Sequence, residues 1–194
     1  MNLNLRRDQM RRWMVMILCA VAVVSLVLAV SCTSTKTNMS SYAEDRAQIE
    51  DLQARYLFAL DSFDLDTYVS TFTEDGILDI IEYQAKGREE IRKKMEEARP
   101  VFKPSSENEQ GPYPPTSRHN ITNIVLKIDG DKAQGRAYWF HYGNNNPERK
   151  AEIDSYGHYE DEMVKENGKW LFKKRVIYNE QVADWIAPPG NRCW

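Results

Sequence analysis

Apolar positions fall into three textures along the chain. Residues 13–30 are almost unbroken apolar sequence. From residue 42 onward Ile49, Leu52, Tyr56, Ala59 and Phe63 recur at helical spacing and draw one apolar stripe. Ser41-Tyr-Ala-Glu44 fits a capping box that would open this helix. A second short helix is predicted from the cap Asp64, with Leu65, Tyr68, Val69 and Phe72 inward. Glu74-Asp-Gly76 should stop it, ahead of a short strand over 77–81. Gly87 precedes a third helix over 88–98, whose many charges leave only a thin buried edge.

Residues 99–117 read as the longest irregular stretch, because Pro100, Pro104, Pro112, Pro114 and Pro115 oppose regular helix or central strand. Beyond it the texture alternates. Strands are predicted over 119–128, 132–142, 154–165 and 169–178, with tight turns at Asp129-Gly-Asp131 and Asn167-Gly168 marking antiparallel hairpins. Helices first and a meander of long strands afterwards imply an α+β domain. Its N-terminal helices would pack on a curved antiparallel sheet, forming a cone. The space between sheet and helices is a natural small-molecule pocket.

Charge changes the reading of the first segment. Arg6, Arg7, Arg11 and Arg12 flank the apolar run, and Leu28-Ala-Val-Ser-Cys32 follows it. This end resembles the lipobox of bacterial lipoproteins, which implies a signal peptide over 1–31 and a lipidated Cys32. An uncleaved anchor is the alternative, since about 18 apolar residues can span a bilayer. Either form exports the rest of the chain and attaches it to a membrane. Lipoproteins generally imply outer-membrane sorting in a Gram-negative host, given Thr33 after the cysteine. Residues 32–42 then serve as lipidated end and polar tether.

The chain has 26 basic and 29 acidic residues; removing residues 1–31, with four arginines and one aspartate, leaves 22 and 28, a formal charge of −6. That balance argues against nucleic acid as a partner. Of the three cysteines, Cys19 lies in the apolar segment, Cys32 is the lipid site and Cys193 stands alone. No disulfide framework or cysteine metal site follows.

Phosphate-binding glycine loops, nucleophile elbows and zinc-protease motifs are absent. What remains is a group of polar residues at the predicted pocket. His119 opens a strand directly after the proline-rich stretch, and an imidazole suits general-base work near neutrality. Asp61, near a helix end, is the candidate carboxylate to hold its second nitrogen. Each residue also has a plainer reading. Asp61 suits a turn, His119 a strand end, Tyr56 the core and His141 an exposed strand end. His158 is read as structural or as a surface residue. Three histidines on neighbouring strands have no spacing diagnostic of zinc.

Several motifs together resemble the SnoaL-like family of the nuclear-transport-factor-2-like, cystatin-like superfamily. They are Tyr56-Leu-Phe-Ala-Leu-Asp61-Ser-Phe-Asp-Leu-Asp66, Phe72-Thr-Glu-Asp-Gly76, Gly87-Arg-Glu-Glu-Ile91 and Arg118-His-Asn120. Gly157-His-Tyr-Glu-Asp161 and Asn167-Gly-Lys-Trp170 complete the set. The resemblance implies a domain over 43–180 and leaves 181–194 as a tail. It is strongest to the branch holding scytalone dehydratase, hexachlorocyclohexane dehydrochlorinase and bile-acid 7α-dehydratase, which use a His–Asp pair without a cofactor. It implies Asp61 and His119 as that pair, with Tyr56 and His141 contacting the substrate or leaving group. Leu60 and Tyr159 stand where the scytalone enzyme has polar residues, which implies a different substrate in the pocket. The expected function is a lyase or isomerase acting on a hydrophobic cyclic small molecule. The alternative is a non-catalytic envelope protein that binds a small molecule or lipid. A homodimer or higher homo-oligomer is also expected.

Overall fold

The computed structural model describes residues 41–80, 83–102 and 116–181. The predicted signal segment, Cys32, the tether and the tail therefore lie outside the described residues, apart from the edges of the last two. The chain divides into two compact units, Met1–Glu44 and Asp45–Trp194. Of the first, only the helical residues 41–44 are described; the second holds the six described strands.

Helix α1 covers residues 41–62, so the expected cap Ser41 is already helical. Its stripe of Ile49, Leu52, Tyr56 and Ala59 is buried, each side chain of this size stabilising by about 1.5–3 kcal/mol on full burial, less for alanine. The helix ends on a Schellman-type turn. The Phe63 N–H donates to Leu60 O and the Asp64 N–H to Ala59 O, with Phe63 in the left-handed region at φ 57°. Asp64 then caps α2 (Leu65–Ser70), accepting from the Thr67 N–H at 3.1 Å.

Strand β1 (Phe72–Asp79) starts earlier than the sequence pattern predicts. Glu74-Asp-Gly76 does not separate helix from strand. It lies inside β1 at a register irregularity between Phe72 and Ile77. A Cβ on Gly76 would come within 2.9 Å of Phe72 Cβ, so only glycine fits this close turn. After β2 (Gln84–Lys86) comes α3 (Arg88–Glu97), within a residue of expectation. Arg99–Phe102, expected to be irregular, forms a short helix, α4. Pro100 is tolerated because a first helical turn needs no N–H there.

The long strands are β3 (Ser117–Asp129), β4 (Lys132–Gly143), β5 (Glu152–Glu166) and β6 (Lys169–Asn179). The sheet order is β2-β1-β6-β5-β4-β3, an α+β arrangement on an unclosed sheet. One pairing departs from the expected antiparallel pattern: β1 runs parallel to β6. Alternation along β4 and β5 sends Ala133, Ala137, Trp139, Tyr159 and Met163 into the core beneath α1. Among the described residues, no helix is long and apolar enough to cross a membrane.

Candidate active site

Asp61 lies in the last turn of α1 and His119 near the start of β3. The Asp61 carboxylate accepts the His119 backbone N–H at 3.2 Å on both oxygens. His119 Nδ1 lies 2.7 Å from Asp61 Oδ1. Opposite a carboxylate, Nδ1 carries the hydrogen and donates it, which makes Nε2 the basic nitrogen of the ring. Both side chains are largely withdrawn from water, at 13% exposure for His119 and 9% for Asp61.

His119 lines a cavity of about 540 Å³. Leu60, Met95, Trp139, Tyr159 and Ile177 give it apolar walls, while Ser117, His141, Asp154 and Asn179 bring polar groups. Every residue singled out from the sequence for catalysis or substrate contact, Asp61 apart, touches this space; Asp61 stands behind His119. Tyr56 is fully buried and its hydroxyl is 2.8 Å from that of Tyr68. Burial raises the pKa of Tyr56, opposed by the Arg175 guanidinium, and raises those of Tyr68 and Tyr159 well above the ordinary phenol value. All three are neutral at physiological pH. His141 is the register partner of His119, with ring centroids 4.4 Å apart, and its Nδ1 hydrogen-bonds Asp154. His158 lies elsewhere, 2.7 Å from Glu180 and stacked on Tyr178. Among the described residues, no three His, Cys, Asp or Glu side chains are grouped as a metal site.

A family model for the SnoaL-like domain matches residues 41–176. The chain belongs to this family. Among solved structures, the SnoaL-like domain resembles a cystatin-like-fold protein of Nostoc punctiforme PCC 73102, of unknown function. The identity is 28%, over 71% of this chain and 92% of that one, with TM-score 0.57. A Novosphingobium aromaticivorans DSM 12444 protein, provisionally named a scytalone dehydratase, shares 22% identity (77% and 93% covered, TM-score 0.60). A Catenulispora acidiphila protein solved in complex with S-DNPA shares 22% (72% and 96% covered, TM-score 0.59). These two likenesses are likenesses of fold. No curated protein matches the chain.

Sequence reasoning did not single out the charge beneath the pocket floor of this SnoaL-like domain. Arg175 on β6 is fully buried and makes two 2.8 Å bonds to Asp161. Its guanidinium lies 4.3, 4.1 and 4.0 Å from the ring centroids of Tyr56, Tyr159 and Phe172. Burial works against its charge, but Asp161 and the neighbouring phenols outweigh burial and hold its pKa above the ordinary value. Lys173-Lys-Arg175 reads as a solvated charge run. The available signal was strand alternation, which sets Asp161 on the same face as Tyr159.

Proposed function

We propose that this protein is a cofactor-independent lyase or isomerase acting on a hydrophobic cyclic small molecule, with His119 as general base and Asp61 as its orienting carboxylate. One observation carries the reading: the 2.7 Å Asp61–His119 contact stands at a cavity of about 540 Å³. His119 removes a proton from a carbon next to an activating group. Asp61 holds Nδ1–H in place and carries the countercharge of the imidazolium that forms. Tyr56 and His141 contact the substrate oxygen or leaving group. Leu60, Trp139 and Tyr159 supply the apolar surface on which a ring can lie. The S-DNPA complex of a similarly folded protein supports a small-molecule ligand.

The same reading makes the protein an exported lipoprotein anchored through Cys32, supported by the basic flank, the apolar run and the small residues before that cysteine. Exposed Tyr138, Tyr142, Ile153 and Tyr156 on β4 and β5 support self-association through the outer sheet face. The catalytic reading is tested by mass spectrometry of small molecules retained by the full chain, followed by turnover of the retained compound. Isomerisation or loss of water, abolished by His119→Ala, is expected. Retention without any conversion by the wild type would make the protein a carrier.

A further inference from the structure

Facing the Asp61–His119 pair across the β3–β4 ladder is a second imidazole with a carboxylate of its own. His141 Nδ1 hydrogen-bonds Asp154 Oδ1, and Ser155 Oγ donates to that same oxygen at 3.3 Å. Regular pairing would not supply this carboxylate. His141 pairs with Ser155 and Tyr142 with Ile153, so Asp154 is the extra residue of a β-bulge. A bulge re-aims a side chain, and here Asp154 and Ser155 both line the cavity beside His141. Asp154 is 55% exposed on its side chain, against 19% for His141, so the charge sits at the wetter side of the pair.

We propose that Asp154 is a positioning residue that sets His141 as the proton donor of the reaction, opposite the base His119. The inference rests on His119 being the base. The buried phenols at the cavity are weaker candidates for the donor. The Tyr56 and Tyr68 hydroxyls are engaged with each other, and burial disfavours ionisation of Tyr159. Asp154 holds the His141 ring and supplies the countercharge for its imidazolium form.

The elimination then balances within the site. His119 takes the proton from carbon, and the C–H electron pair becomes the new π bond. The C–O bond breaks, and the departing oxygen takes the His141 proton to leave as water or an alcohol. One imidazole has gained a proton and the other has lost one; exchange with solvent resets both. The substrate class that needs this arrangement has a poor, basic oxygen leaving group. A substrate with a good leaving group needs the base alone.

Two chromogenic probes separate these roles in the full chain. Removal of the C3 proton of a benzisoxazole breaks its N–O bond and releases a cyanophenolate. The 5-nitro compound releases a stable anion; the parent compound releases a basic one that benefits from a proton donor. Asp154→Asn should slow the parent reaction at least about tenfold more than the nitro reaction, with partial rescue by Asp154→Glu. Equal slowing of both probes, or of neither, would overturn the role given to Asp154. His119→Ala should abolish the protein-dependent rate for both. If the wild type accelerates neither probe, or His119→Ala leaves both rates intact, the base assignment itself fails, which is a separate result. Melting curves of the variants keep loss of fold distinct from loss of function.

Discussion

Asp61 occupies the last turn of α1, where the helix macrodipole disfavours a negative charge by about 0.3–1 kcal/mol. The charge is nonetheless matched. It accepts the His119 backbone N–H and the ring Nδ1–H, and hydrogen bonds to a charged group contribute about 1.5–3 kcal/mol each. The contacts outweigh the dipole, so a carboxylate persists at this helix end. The phenols below the cavity obey a different balance, because burial there has no compensating cation strong enough to lower them. Tyr68 and Tyr159 are held protonated well above the ordinary range. Their folded-state pKa values exceed the unfolded value of about 10, so the associated stability is fully present below pH ~10. It is lost as pH rises from there toward the folded-state values. Alkaline titration followed at the tyrosinate absorbance should show phenols that ionise only with unfolding. A single transition near the free-tyrosine value, with the fold intact, would contradict their burial.

At the scale of elements, irregularities in regular strands place the chemistry. Gly157 on β5 lies against β6, where a Cβ would fall 1.8 Å from Tyr178 O. The same carbonyl accepts the Trp139 indole N–H at 3.1 Å, which sets one wall of the cavity. Gly157→Ala should therefore force backbone apart and destabilise by about 1–3 kcal/mol, read as a lower denaturant midpoint. An unchanged midpoint would mean that the strands can part at no cost. The α1 stripe and the hairpin turns were legible from period and turn residues, because each depends on neighbours within a few positions. The parallel β1–β6 pairing was not, since it joins segments about a hundred residues apart. Nor was the continuation of β1 through Glu74-Asp-Gly76, which reads as a turn and is accommodated as a bulge. Asp154 reads as the first residue of a strand, and only the bulge turns it toward His141.

Across the whole molecule, α1 is tied to the sheet by charge as well as by apolar contact. Gln53 on α1 donates to Asp161 at 3.4 Å, and Asp161 holds Arg175 under the aromatic rings of the pocket floor. A buried pair of this kind is costly to break from one side. Arg175→Met should destabilise by about 3–5 kcal/mol by stranding the Asp161 charge, and the Arg175→Met/Asp161→Leu double variant should recover a large part. Equal losses in the single and double variants would show that the guanidinium acts through packing on the rings instead. The Arg–Asp pair, Tyr56 and Tyr159 together hold the floor of the cavity while α1 and β3 bring Asp61 to His119. The central claim is that this last pair abstracts a proton. It is tested most directly by the turnover rate of the retained small molecule with wild type, His119→Ala and Asp61→Asn. The account predicts a fall of about 10²- to 10⁴-fold in both variants with the fold preserved. Turnover by His119→Ala at the wild-type rate would contradict it.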